Sequence, residues 1–233
     1  MINQLKVEGF KLRRFILLYI VALILFAAGF FYSYCKLYLL PSMNTNEVFA
    51  CLVSDTSLIF IISLVTSWFI GNDFSSRTIH NEIKIGYSRL SILLSRLIIV
   101  YIISVLLHSI YIFSAVLGFS LKSSFDNSII NTHNIFWFLT VAAQLFAIQS
   151  IITFITFSLK KASASISAAV CFTFITCNII RTFTDSRIFT LSCFCLAQDS
   201  SYKNLVPTFI NAIIVIAIAF IATYICFRKT EIK

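Results

Sequence analysis

Residues 92–117 read ILLSRLIIVYIISVLLHSIYIFSAVL, an apolar run interrupted only by Arg96, His108 and a few hydroxyls. A helix rises 1.5 Å per residue, so about 20 such residues cross a hydrocarbon layer of roughly 30 Å. Five more runs flank it, at 15–34, 48–70, 135–159, 162–180 and 207–227. None has the period-two alternation of a membrane β-barrel strand. The links between them are too short for a soluble domain. The expected fold is therefore all-α: one transmembrane domain over 1–233 with six transmembrane helices. Composition agrees, with 59% hydrophobic residues, 12% charged residues and a mean hydropathy of +0.95. A soluble domain has roughly a quarter of its residues charged.

Lys and Arg placement predicts the orientation. Lys6, Lys11, Arg13 and Arg14 precede the first run, and Arg77, Lys84, Arg89 and Arg96 surround the second link. Lys160 and Lys161 fill the fourth link, and Arg228, Lys229 and Lys233 follow the last run. The other side holds Lys36, Lys122, Arg181, Arg187 and Lys203, spread over longer loops. Both termini are expected to be cytoplasmic. Topology accounts for the pI near 9.3, so nucleic-acid binding needs no separate place. The first run is too long for a secretory signal, and no small-x-small cleavage pattern follows it, so it reads as a retained helix.

Seven cysteines are scattered, four of them in the apolar runs (Cys51, Cys171, Cys177 and Cys226). Without a C-x-x-C pair, a disulfide framework or metal site is not expected. Cys193 and Cys195 form a lone C-x-C, read as apolar filler, with a disulfide or metal role as the alternative. Polar groups in lipid are costly and face a bundle interior. Asp55, His108, Gln144 and Gln149 are thus candidate pathway-lining residues, with Asn178 near the outer end of the fifth run. Structural roles are the simpler reading of all five. In the fifth run, Ala162, Ser165 and Ala169 fall on one face of small residues that permits close helix approach. That face suits contact within the bundle or with a second copy.

Three segments do not simply span. Residues 1–14 mix Ile2, Leu5 and Val7 with Lys6, Glu8 and Lys11, which fits an interfacial helix or a topology-setting basic tail. Residues 181–206 read as a partly inserted broken helix or an ordinary structured external loop. Residues 71–89, GNDFSSRTIHNEIKIGYSR, are the most informative. Trp68 marks an interfacial exit, and Asp73 or Ser75 is placed to cap a new helix. Ile79 and Ile83 share one face, while Arg77, His80, Asn81 and Lys84 lie around the rest. Gly86 is placed to end the helix in the left-handed conformation. So short an amphipathic helix rests on something, either the membrane surface or a partner protein.

Over residues 70–99 the chain resembles the membrane subunits of type-2 ABC exporters. The likeness lies in Gly71 and Asp73, the T-I-x-N of Thr78, Ile79 and Asn81, the G-x-S-R of Gly86, Ser88 and Arg89, and Arg96 opening the next span. Glu8 and Lys11 match an E-x-x-K leader, and six spans complete the outline. The resemblance implies a permease in the bacterial cytoplasmic membrane, exporting an amphipathic peptide, drug or lipid, or giving immunity to a bacteriocin. It implies an N-terminal interfacial helix and a re-entrant external segment before the last helix. Around Thr78–Ile85 it implies a coupling helix docked on a cytoplasmic ABC ATPase, with Asp73, Thr78, Ile79, Asn81, Ile83, Gly86 and Arg89 as the coupling set. A second permease subunit, identical or a paralogue, would meet the first and fifth spans, with Ala162, Ser165 and Ala169 at the contact.

No G-x-x-x-x-G-K-[ST] loop is present, so ATP and Mg would be bound by the partner ATPase and the chain itself is not expected to be an enzyme. No cofactor and no metal are expected. A non-transporting scaffold or immunity factor is the alternative. A secondary transporter is less well served, since the spans hold few ionisable groups and few Gly or Pro breaks.

Overall fold

The computed structural model describes residues 2–39, 55, 57–121, 132–182 and 202–229. Within them lie eight helices: α1 (Ile2–Arg13), α2 (Ile16–Leu39), α3 (Ser57–Ser75), α4 (Thr78–Lys84), α5 (Arg89–Ser120), α6 (Thr132–Leu159), α7 (Ala162–Thr182) and α8 (Tyr202–Lys229). Among the described residues every regular element is helical. Five helices are long and apolar enough to cross a membrane: α2, α3, α5, α6 and α8. The fifth expected span corresponds to α7, of which the described apolar part is Ala162–Thr176. Residues 48–54 of the second expected span, Cys51, the external segment 183–201 with Cys193 and Cys195, and the Asn178 side chain lie outside what is described.

The bundle is built around α5, which packs against α1, α2, α3, α4, α6 and α8. Its buried side includes Ile92, Leu93, Val100, Ile103 and Leu107, all fully shielded. The outer faces of α2 and α8 stay apolar and exposed, as at Leu23 and Ile218. An apolar helix surface turned outward is stable where lipid rather than water surrounds it.

Cross-contacts fix which helix ends lie together. The α8 C-terminus meets the α5 N-terminus, where the Arg89 guanidinium donates to the Phe227 carbonyl at 2.9 Å and to the Arg228 carbonyl. The α7 N-terminus meets the α3 C-terminus, where the Ala162 N–H donates to Ser75 Oγ at 3.2 Å. Helix α1 joins the same end through Lys11 and Asp73, 3.2 Å apart. Three edge-to-face contacts seal this end: Phe74 with Phe157 and Phe157 with Phe227, both at 5.1 Å, and Phe15 with Phe69 at 5.4 Å. Of the Lys and Arg on the described helices, Lys36, Arg181 and Lys203 lie at opposite helix ends. The rest gather at this one basic end, together with both described chain ends.

Helix α3 does not stop at the expected exit near residue 70 but runs on to Ser75. The extra turn carries Asp73 inward, so Asp73 caps nothing, and Ser75 caps α7 instead of α4. The turn into α4 is made by Arg77 in the left-handed conformation, φ 55°, with no side-chain cap. The expected stop holds: Gly86 has φ 99°. Its N–H bonds the Ile83 carbonyl at 3.0 Å and the Tyr87 N–H bonds the Glu82 carbonyl at 3.2 Å. This pair of bonds is the Schellman pattern, which satisfies the last carbonyls of a helix. Ser88 then caps α5 by accepting from the Ser91 N–H at 3.3 Å. In physical terms G-x-S-R is therefore a helix stop, a helix start and an arginine that closes the end of α8.

Candidate functional site

An arginine inside an apolar helix requires anionic partners, because lipid and packed side chains solvate a charge poorly. Arg96 lies in the second turn of α5 and is fully buried. Its Nη1 is 2.5 Å from Glu8 Oε1, its Nε 2.8 Å from Asp73 Oδ2 and its Nη2 2.8 Å from Glu82 Oε1. One planar guanidinium thus faces three carboxylates from α1, α3 and α4. Only lysine and arginine bring a positive charge here, and only arginine offers three nitrogens in a fixed fork. The Glu82 contact is an aligned hydrogen bond, while the other two are close ion pairs without aligned N–H bonds.

Lys11 closes the cluster from α1. Its Nζ donates to Glu8 Oε1 at 2.9 Å and to Asp73 Oδ1 at 3.2 Å, and it lies 3.8 Å from Glu82. Glu8 is fully buried, and its Oε2 has no hydrogen-bond partner. Burial raises the Glu8 carboxyl above its ordinary 4.5, against the opposing pull of Arg96. One turn earlier on α1, Gln4 accepts a hydrogen bond from the Ser91 hydroxyl of α5. Polar contacts alone therefore tie α1, α3, α4 and α5 into one unit at the basic end.

Helix α4 sits on this unit. Ile79 is fully buried and Ile83 packs against the core, so the apolar face rests on the chain's own bundle. Arg77, Asn81, Lys84 and Gly86 are exposed, Ile85 is 75% exposed, and Thr78 is half-buried with its hydroxyl 2.8 Å from that of Ser76. The expected coupling residues therefore divide. Asn81 and Gly86 face outward, with Thr78 partly so. Asp73, Ile79 and Ile83 are used inside, and Arg89 is committed to the end of α8.

The small-residue face of α7 is also spent within the chain. Ser165 and Ala169 are fully buried, and a Cβ at Gly71 of α3 would meet Ser165 Oγ at 2.7 Å and Ala162 Cα at 2.9 Å. Helices α3 and α7 approach so closely that only glycine fits at 71. A contact with a second copy would have to use the other side of α7, where Phe174 and Ile175 are exposed.

Deeper in the bundle, polar groups pair across helices, and Asp55 acts on both Tyr111 and His108. Gln149 accepts from the Thr66 hydroxyl at 2.6 Å and donates to Ser63 Oγ at 3.3 Å, joining α6 to α3. Asp55 accepts from the Tyr111 hydroxyl at 3.0 Å. His108 is 1% exposed, lies beside Phe138 with ring centroids 6.1 Å apart, and has no hydrogen-bond partner on either nitrogen. Gln144 is fully buried. An open groove of about 450 Å³ runs along α5 and α6, lined by Ile98, Tyr101, Ile102, Val105, Leu106 and Phe146. The Tyr101 hydroxyl pairs with Ser150 Oγ at 2.6 Å, leaving an apolar lining. Among the described residues no cluster of metal-ligating side chains occurs.

Compared with protein-family models, with curated proteins and with solved structures, the chain finds no match in any of the three.

Proposed function

We propose that this chain is the permease subunit of an ATP-driven exporter, a six-span membrane protein coupled through α4 to a separate cytoplasmic ATPase. The observation that carries the reading is the mounting of α4. Its inner face is packed and its Glu82 is held on Arg96, while Arg77, Asn81, Lys84 and Ile85 stand free at the basic end. A short helix fixed this way moves as one body with α1, α3 and α5. Force applied to its outer face would then reach the spanning helices directly, as switching between inward- and outward-facing states requires.

The gathering of Lys and Arg supports a cytoplasmic basic end, by the positive-inside rule, where an ATPase would be found. The apolar groove along α5 and α6 suits the apolar part of an amphipathic peptide, drug or lipid. A second permease subunit, identical or a paralogue, would complete the pathway. ATP and Mg stay with the ATPase.

The test is co-expression with an ABC-type ATPase encoded beside this chain, followed by purification in detergent and assay of vanadate-sensitive ATP hydrolysis. A stable, active complex supports the permease reading. Failure to bind that ATPase or any sister ATPase, with the chain itself folded, favours a scaffold or immunity factor that does not transport.

A further inference from the structure

The cluster around Arg96 is unbalanced. Glu8, Asp73 and Glu82 supply three carboxylates, while Arg96 and Lys11 supply two positive charges. With every group ionised, one negative charge remains in a site where Arg96 and Glu8 are fully buried. A buried charge without a counter-charge neutralises itself by taking up or losing a proton.

Three carboxylates could take that proton, and their depth of burial separates them. Asp73 spreads its two oxygens over Lys11 and Arg96, at 3.2 and 2.8 Å. Glu82 holds Arg96 and Lys11 on Oε1, at 2.8 and 3.8 Å, and its Oε2 has no partner, but its side chain stays 12% exposed. Glu8 has the same one-sided arrangement at closer range to both cations, with Oε2 unpartnered, and its side chain is fully buried, the deepest of the three. We propose that Glu8 is a proton-binding site, with one proton on Oε2 making the five-residue cluster neutral and seating α1 on the bundle.

Among the described residues the charged groups around Glu8 are Lys11 on its own helix, Asp73 on α3, Glu82 on α4 and Arg96 on α5. Asp73 opposes the second negative charge, Arg96 and Lys11 favour it, and burial outweighs them, so the shift is upward from 4.5. The sign for stability follows. A folded state that holds its proton more tightly than the unfolded chain has this contribution in full below 4.5, and loses it as pH rises through the folded value. Deprotonation then places an uncompensated charge under α1. The inference stands on the cluster alone and does not depend on an ATPase docking at α4.

The direct test is an infrared titration of the full chain in lipid nanodiscs, following the carbonyl stretch of protonated carboxyl groups, with thermal stability measured over the same pH range. The expected result is a protonated-carboxyl band that titrates above 4.5, is absent in Glu8→Gln and shifts in frequency in Glu8→Asp. Wild-type stability falls as pH rises through that midpoint, while Glu8→Gln is flat there. If Glu8→Gln does not fold, Glu8→Asp keeps a titratable group and still reports the assignment. A band that titrates at or below 4.5, or one unchanged in both variants, overturns the proposal.

Discussion

Replacing Arg96 by methionine keeps the length of the side chain and removes its charge, leaving Glu8, Asp73 and Glu82 crowded around Lys11 alone. Breaking a buried ion pair from one side costs about 3–5 kcal/mol, and three carboxylates share this partner. Arg96→Met is therefore expected to lower the thermal midpoint in detergent sharply. Arg96→Lys should recover only part of the loss, because one ammonium cannot face three elements at once. Equal stability of all three proteins would remove the cluster from the account. At Gly86 the cost is backbone alone: φ is 99° and nothing lies within 4 Å of an added Cβ. Gly86→Ala is expected to cost about 1–2 kcal/mol, read as a lowered denaturation midpoint. Gly86 was legible in the sequence because the chemistry of a helix stop is local, whereas the Ser88 cap emerged only from the fold. Nor was the Arg96 cluster legible, since its partners come from 14 to 88 positions away and only the fold brings them together. A signal was nevertheless there. An arginine in an apolar run demands carboxylates, and the chain has only nine acidic residues to supply them.

The two faces of α4 should respond differently to the same change. Ile79 is fully buried, so Ile79→Asp puts a charge into the core beside an already crowded anionic site. It is expected to destabilise the isolated chain severely. Ile85, 75% exposed, should tolerate Ile85→Asp in the isolated chain, with any loss appearing only when a partner is added. Ile83, half-buried against the core, cannot separate the two effects. The 3.6-residue spacing placed Ile79 and Ile83 on one face correctly, yet spacing alone does not say what covers a face. In the fold the cover is the chain itself. The same holds for Ala162, Ser165 and Ala169, whose pattern announced close packing while the neighbour, α3 at Gly71, came from tertiary structure. Gly71→Val would drive side-chain atoms into the α7 backbone near Ala162 Cα and should separate α3 from α7. Loss of a disulfide engineered between the exposed Ser75 and Ser163 would report that separation.

Across the whole molecule, hydropathy read the membrane class and most of the spans directly, because each run is long and apolar in its own right. Hydropathy did not show how α3 continues past its expected end, since Asp73 is polar and counts against a span until Arg96 meets it. The gathering of basic residues at one end makes a topological prediction. In a chain with its seven cysteines replaced, Leu121→Cys, 71% exposed at the far end, should react with an impermeant thiol reagent in intact cells. Arg77→Cys, exposed at the basic end, should react only after permeabilisation. The reverse pattern would put α4 outside and end the permease reading. The most direct measurement of the central claim is photo-crosslinking in cells co-expressing the ATPase, with a photoreactive amino acid at Asn81 and, as a control, at Leu121. The account predicts an ATPase adduct from Asn81 and none from Leu121. A stable complex with the ATPase that gives no adduct from Asn81 would contradict the assignment of α4 as the docking element.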